Sequence, residues 1–333
     1  MRRVLLAGAV LAAAGLAFFI ALLSPPHRGE PFEADFVILP GESLPEIAGT
    51  LESMGLVRNA HAFLILAVVR GKADRIQAGP YRASSSEWAW VILDRLAAGD
   101  VLDTTVTVVE GSWMAEVAEQ VAPFLEGGAD SFLAAAGDSL FLRSLGVEGA
   151  GAEGYLFPDT YRLIPGSPAR ALVRQMVRNF FRKWEGELAG RAAEKGVDRH
   201  QAATLASIVE AEAQVDHERS RIAAVYWNRL RAGMPLQADP TVAYAKGRRL
   251  PRTRHGDLET ASPYNTYAQP GLPPGPIGNP GLASLRAVLW PQEGCEDLYF
   301  VARGDGTHLF APDFEGHRRN REMVRREQGS GLR

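Results

Sequence analysis

The sequence predicts an α+β protein with an N-terminal transmembrane helix, a small βααβ module and a mainly helical domain carrying a small β-hairpin. Three observations carry that expectation: a charge-free apolar run at the N-terminus, a strand, helix, helix, strand order of signals over 36–103, and helical periodicity beyond residue 150. The chain has 333 residues, 46% hydrophobic and 23% charged, a composition of folded rather than disordered sequence. A net charge of -3 gives no global basic field, so no nucleic-acid partner is expected. The single cysteine, Cys295, excludes an intramolecular disulfide and a thiolate zinc cluster, and stability must come from an apolar core. The seven histidines show no paired ligand spacing, and His308 and His317 lie too far apart for a local motif, so neither metal nor cofactor is expected.

Val4 to Leu23 carries no charge, and at about 1.5 Å rise per residue the run crosses the roughly 30 Å hydrocarbon layer. Arg2 and Arg3 precede it, which holds the N-terminus in the cytoplasm and sends everything after Pro25 to the far side of the inner membrane. Ala21-Leu22-Leu23-Ser24 is a poor small-x-small cleavage site, which favours a single-pass anchor over a signal peptide. The expected segments are a tip and anchor at 1–25, a linker at 26–35, the βααβ module at 36–103 and a connecting strand–helix subdomain at 104–150. A mainly helical domain at 151–325 and a tail at 326–333 complete the chain.

Phe36 to Leu39 reads as a strand, Pro40-Gly41 as a turn, and Ser43-Leu44-Pro45-Glu46 as a capping box opening a helix that Gly55 stops. A second helix fits Ala60 to Arg70, capped by Asn59 and ended by Gly71; Gly79 to Arg82 returns as a strand, and Ser86 caps a third helix reaching about Ala98. This first unit resembles LysM modules, small βααβ folds that bind glycan. Seventy positions beyond Gly41, at Gly111, the opening recurs: Thr107-Val108-Val109 as strand, then Glu116-Val117-Ala118 in the place of Glu46-Ile47-Ala48.

From Glu153 to Tyr161 the chain is aromatic and turn-punctuated, too irregular for a strand or helix interior, and loops of this kind shape a site or cover a core. Helices follow at about Pro168 to Trp184, Arg199 to Ala213 and His217 to Ala232, the last capped by Asp216 and stopped by Gly233. A Pro/Gly-rich loop, Gln269 to Gly281, precedes a helix at Leu282 to Leu289. Leu298 to Ala302 and Thr307 to Ala311 form a hairpin, and a basic helix with a solvated arginine face ends the chain.

The sharpest anomaly lies between Arg199 and Ala213. Leu205, Ile208, Val209 and Val215 define one side, and Glu212 falls in the middle of it. A carboxyl on an apolar face is expensive unless paired or neutral, and burial favours the protonated form that can act as a general acid. The alternative is an ion pair from Glu212 to Arg219 or Arg229 that only fastens two helices. Glu210 projects to the flank as a solvated or substrate-rim residue. Further along, Asn228, Gln237, Asp239 and Thr241 precede Tyr264-Asn265-Thr266-Tyr267, with Asp239-Pro240 reading as a cap and first-turn proline. Together they suggest a groove offering amides, hydroxyls and aromatic platforms to sugar rings.

Five ordered motifs carry a resemblance that spans about Val37 to Asn320. They are Leu205 to Ala213, Val225-Tyr226-Trp227-Asn228-Arg229-Leu230, Met234 to Val242, Tyr264 to Tyr267 and Gly271 to Ile277, and Glu153 to Tyr161 joins them. The sequence resembles the YceG-like endolytic murein transglycosylases. The resemblance implies a single-pass, outward-facing enzyme with a LysM-like module and a lysozyme-related catalytic domain. It also implies internal cutting of nascent peptidoglycan strands to leave 1,6-anhydro-muramic acid ends, beside wall synthases of the penicillin-binding class. Glu212 is then the catalytic acid, with Glu210 the second choice. Glu153, Tyr155, Phe157, Asn228, Gln237, Asp239, Tyr264, Asn265, Thr266 and Tyr267 are the expected substrate contacts. Ala213 stands where related transglycosylases carry a hydroxyl residue. Two alternatives stay open: a hydrolytic muramidase using Asp239 or Glu259 as second carboxylate, and a non-catalytic, membrane-tethered glycan-binding scaffold.

Overall fold

A computed structural model describes residues 2–26, 30–39, 41–102 and 104–330. Pro40 of the expected turn, 27–29 of the expected linker and 331–333 of the expected tail lie outside them. The elements run α1 (Arg2–Leu23), β1 (Glu33–Ile38), α2 (Leu44–Ser53), α3 (Ala60–Val69), β2 (Gly79–Ser84), α4 (Ala89–Ala98), β3 (Thr104–Thr107), α5 (Met114–Val121), α6 (Gly128–Gly137) and α7 (Ser139–Ser144). They continue β4 (Thr160–Leu163), α8 (Ala169–Trp184), α9 (Glu187–Lys195), α10 (Arg199–Glu212), α11 (Arg219–Arg231), α12 (Asp239–Ala245), α13 (Leu282–Leu289), β5 (Tyr299–Ala302), β6 (His308–Ala311) and α14 (Phe314–Ser330). The chain divides into two compact units, one reaching Thr104 and taking Arg162–Pro165, the other comprising Thr105–Tyr161 and everything from Gly166.

In the first unit α1 is long and apolar enough to cross a membrane. Its last turn turns inward, Leu23 entering the core with Phe19 and Leu22 packed beside it. β1 and β2 pair antiparallel with Phe36 opposite Tyr81, and the pleat sends Phe36 and Ile38 inward while Val37 faces out. Leu51, Phe63, Tyr81, Ile92 and Leu93 fill the interior with no exposed surface, so α2, α3 and α4 close over the two-stranded sheet in βααβ order. Asn59 caps α3 by accepting the Ala62 N–H at 2.9 Å. Ser86 does not cap α4, which begins three residues later behind Trp88; its hydroxyl bonds that of Ser84 at 2.8 Å, and the turn is held by Glu87, which accepts the Ser84 N–H at 3.1 Å.

The repeated opening has the same local geometry twice. Gly41 and Gly111 take φ of 85° and 76°, a left-handed turn that a Cβ would strain. Glu46 accepts the Ser43 N–H and Glu116 the Trp113 N–H, each at 2.8 Å, closing the first turn of α2 and of α5. Ile47 and Ala48 in one helix, Val117 and Ala118 in the other, are buried at those matched positions.

The second unit is built around α10, which packs against α11 and α13 and buries Leu205, Ile208 and Val209 completely. Three expectations change here. A 3-10 turn, Asp216–Glu218, comes before α11, and Asp216 is no cap; its carboxylate instead accepts from Arg219 at 3.1 Å. Asp239 is the first residue of α12 rather than its cap, which frees its side chain for the site below. The tract 153–161 is not wholly irregular, since Thr160 and Tyr161 open β4, and the Tyr161 hydroxyl turns back to the Phe157 carbonyl. Helices α6, α7 and α9 were not anticipated from periodicity.

Candidate active site

Glu212 is the last residue of α10, where unpaired carbonyls and the negative end of the helix dipole both disfavour a second negative charge. Its side chain opens onto a cavity of about 820 Å³. Part of the residue meets solvent, yet protein crowds the carboxyl so closely that lost hydration dominates its titration. That desolvation, helped by the nearby charge of Asp239, pushes the Glu212 carboxyl up to about 7, against a smaller opposing pull from the Tyr226 hydroxyl and Arg229. The Tyr226 hydroxyl donates to Glu212 Oε1 at 3.1 Å, and the ring is fixed edge-on against Phe300.

Neither arginine that could have neutralised Glu212 does so. Arg229, three residues beyond Tyr226 on the same face of α11, spends its donors on backbone: Leu298 O at 2.6 Å, Leu236 O at 2.7 Å and Pro235 O at 3.2 Å. Arg219 pairs instead with Glu210 at 2.7 Å, where both side chains are nearly enclosed, 12% and 6% exposed. The Gly281 N–H donates to the second oxygen of Glu210 at 2.9 Å, and Arg219 also reaches Ser284 at 2.8 Å. Glu210 is therefore neither solvated nor on the substrate rim; it is a fastener between α10, α11 and α13.

Of the expected substrate contacts, Gln237, Asp239 and Tyr267 line the cavity with Glu212. Gln237 has φ of 52°, a left-handed backbone that among the described residues only glycines otherwise adopt. The strain is held by its N–H donating to Thr266 O at 3.1 Å and by the Ala238 N–H donating to the Thr266 hydroxyl at 3.0 Å. The Tyr267 hydroxyl donates to Asp239 at 2.5 Å, so the two move as one wall.

The remaining seven do not line it. Tyr155 and Phe157 are buried, Tyr155 edge-on against Phe180 and bonded to His200 at 3.1 Å. Asn265 and Thr266 are interior, the Asn265 amide donating to Leu258 O and Thr260 O at 2.8 and 2.9 Å. Asn228 donates to Cys295 O and Asp297 O, both at 2.9 Å, pinning the approach to β5. Tyr264 packs against Tyr244 with ring centres 5.0 Å apart. Glu153 sits at the N-terminus of α5, accepting from Met114 N–H at 2.9 Å, Asn279 at 3.0 Å and Tyr244 at 3.2 Å; burial raises its carboxyl to about 7 as well. Glu259, the other possible second carboxylate, is exposed and does not line the cavity, although its neighbour Leu258 does.

Several lining residues escaped the sequence reading. Tyr226 sat inside a quoted motif without a role; Tyr299, Phe300 and His308 come from the hairpin, and His317, Arg321 and Arg325 from α14. His308 is tied through Nδ1 to Glu218 at 2.7 Å.

The Glu212 carboxyl, held near neutrality, in no ion pair among the described residues and opening onto an aromatic-walled cavity, has the chemistry of a proton donor at neutral pH. The comparisons agree on which proteins the chain groups with. The chain belongs to the YceG-like family, whose model matches residues 36–323. It is 30% identical over 321 residues to the endolytic murein transglycosylase of Bacillus subtilis (strain 168), covering 91% of this chain and 88% of that one. The endolytic murein transglycosylase of Streptococcus pneumoniae (D39) is 31% identical over 313 residues, which is 84% of this chain but 56% of the relative. A YceG-like protein of Listeria monocytogenes of known structure superposes with a TM-score of 0.60 at 29% identity, covering 86% of this chain and 98% of the other.

Proposed function

We propose that the protein is an endolytic peptidoglycan transglycosylase that cuts the MurNAc–GlcNAc β-1,4 bond inside glycan strands, with Glu212 as its single acid and base. The observation that carries the residue assignment is the Glu212 carboxyl, raised to about 7 and, among the described residues, bonded by a neutral hydroxyl alone. Membership of the family and the named activity of the Bacillus and Streptococcus relatives support the reaction.

Protonated Glu212 gives its proton to the glycosidic oxygen as the C1–O bond breaks, leaving an oxocarbenium-like C1 on MurNAc. The resulting carboxylate removes the proton from the same sugar's C6 hydroxyl, and O6 closes on C1 to form the 1,6-anhydro ring. Glu212 ends protonated, so one group completes the cycle and no water is consumed. Tyr226 orients Oε1, while Gln237 and the Tyr267–Asp239 pair present hydrogen-bonding and stacking surface to the sugars. General acid–base catalysis of this kind contributes roughly 10² to 10⁴ in rate, and positioning in the cavity supplies the rest.

The apolar α1 anchors the chain in the cytoplasmic membrane with Arg2 and Arg3 inside and the second unit outside. The βααβ unit serves as a LysM-like module, and wall synthases are the natural neighbours of an enzyme that ends nascent strands. Mass spectrometry of muropeptides released in ¹⁸O-water tests the reaction. Anhydro ends without heavy oxygen are expected from wild type and none from Glu212→Gln; ¹⁸O-labelled reducing ends would establish a hydrolase, and unchanged digestion by Glu212→Gln would move the acid elsewhere.

A further inference from the structure

The cavity carries more positive charge than the acid–base step uses. Arg252, Arg321 and Arg325 all line it, all three are exposed, and among the described residues no ion pair joins any of them to a carboxylate. Neighbouring arginines behave differently. Arg318 and Arg319 reach Glu315 at 2.9 and 3.9 Å, and Arg303 holds Glu327 at 3.0 Å. Arg321 and Arg325 stand one helical turn apart on α14, on the face that His317 and Val324 also turn to the cavity, and Arg252 approaches from the loop after α12. Arg229 is not part of this set, because backbone carbonyls already occupy its donors.

Three guanidiniums, none in an ion pair among the described residues, outnumber the two carboxyls of the same lining, Glu212 and Asp239, and Asp239 is already engaged by the Tyr267 hydroxyl, so the arginine side of the cavity carries a local positive potential suited to an anionic ligand. With a net charge of -3 over the chain, the potential is local to this wall rather than a general polyanion surface. A glycan strand bears its anions on side arms: each MurNAc carries a lactyl group, capped by a short peptide ending in carboxylates. The arm leaves the same sugar whose C1 meets Glu212, and at about 3.3–3.6 Å per extended residue a few residues span a cavity of this size.

We infer that the Arg252, Arg321 and Arg325 wall binds the carboxylates of stem peptides, making peptide-bearing strands the preferred substrate. The inference rests on the glycan-cleaving reading of the Glu212 site. Because the guanidiniums are exposed, each contact contributes modestly and the effect weakens with salt.

The test uses full-length protein in detergent, wild type and the triple variant Arg252→Gln, Arg321→Gln, Arg325→Gln, on three strand preparations. The first keeps its stem peptides, the second has their carboxyls converted to amides, and the third has lost its peptides to an amidase, leaving bare lactyl carboxylates. Wild type is expected to favour the first over the second by roughly tenfold in kcat/KM, mainly through KM, and the triple variant to lose that ratio. A wild-type ratio near one, or an equal loss on all three preparations in the variant, overturns the inference. Preference for the stripped strands also overturns it, assigning the wall to the lactyl carboxylate. Equilibrium binding of the same strands to Glu212→Gln protein reads the wall without cleavage: selective binding with no cleavage by wild type would sink the enzyme reading and keep the wall.

Discussion

Glu210 and Glu212 lie two residues apart on one helix, and their surroundings send them to opposite uses. The Glu210 side is a closed seam in which Arg219 and the Gly281 N–H each hold one carboxylate oxygen, leaving 6% of the side chain exposed. On the Glu212 side the seam opens into a cavity, Arg229 is bound to backbone carbonyls, and among the described residues the Tyr226 hydroxyl is the donor to the carboxyl. Two helical steps, about 200° of rotation, separate a fastener from an acid. Residue type is the same; what differs is whether the partner on the facing helix is a cation or a phenol.

Amide substitution breaks the comparison most directly. Glu212→Gln is expected to lower kcat by roughly 10² to 10⁴ with the melting temperature unchanged or raised, since an unfavourably placed acid becomes a neutral amide. Glu210→Gln is expected to do the reverse. It takes from the Arg219 guanidinium its enclosed carboxylate partner, leaving the exposed Asp216 and the Ser284 hydroxyl, and costs roughly 2–4 kcal/mol of stability, while folded molecules keep their activity. Denaturant unfolding and steady-state cleavage on both variants check this, and loss of activity without loss of stability in Glu210→Gln would reverse the two roles.

Glu153 sharpens the contrast from another side, being an equally perturbed carboxyl outside the cavity. Both Glu153 and Glu212 are raised from 4.5 to about 7, mainly by desolvation. The folded protein therefore keeps protons that the unfolded chain releases, so stability falls as pH rises from about 4.5 to about 7 and levels off above. Cleavage falls as pH rises through about 7, because Glu212 must enter the reaction protonated. Glu153→Gln is expected to flatten part of the stability slope and leave the midpoint of the rate profile in place. A shifted rate midpoint in that variant would tie Glu153 to the chemistry.

The helical spacing marks Glu212 in the sequence as a carboxyl on an apolar face, because 3.6-residue periodicity puts it among Leu205, Ile208 and Val209, and in the structure that carboxyl is indeed desolvated. The Asn59 cap and Gly71 stop likewise mark α3, the Pro/Gly-rich loop ending at Gly281 marks the start of α13, and the turns at Gly41 and Gly111 mark the repeated opening, since each is decided within a few residues. Four of the expected substrate contacts, two in the aromatic tract 153–161 and two in the Tyr264–Tyr267 motif, are core residues for a physical reason. Tyr155, Phe157, Asn265 and Thr266 look alike in sequence whether they face a groove or a core, and the choice is made by distant partners such as Phe180, His200 and Ala238. Tyr299, Phe300 and the α14 arginines reach the cavity only through tertiary contacts a hundred residues downstream, which no local pattern encodes.

The smallest expected effects are the most discriminating, because they have opposite signs. Tyr226 stabilises the charged form of Glu212 by donating to it, and Asp239 disfavours that form by its own negative charge. Removing the donor in Tyr226→Phe should move the alkaline limb of the rate profile up in pH, with a severalfold drop in kcat as the carboxyl loses its orienting bond. Removing the charge in Asp239→Asn should move the same limb down; the asparagine carbonyl can still accept from Tyr267, so the wall stays in place. If Asp239 instead activated water as a second catalytic carboxylate, its amide would cost as much rate as that of Glu212 and no limb would remain to shift. A modest fall in rate with a downward limb keeps Asp239 as the neighbour that helps hold a single acid protonated, and near-complete loss would transfer the site to the hydrolytic class.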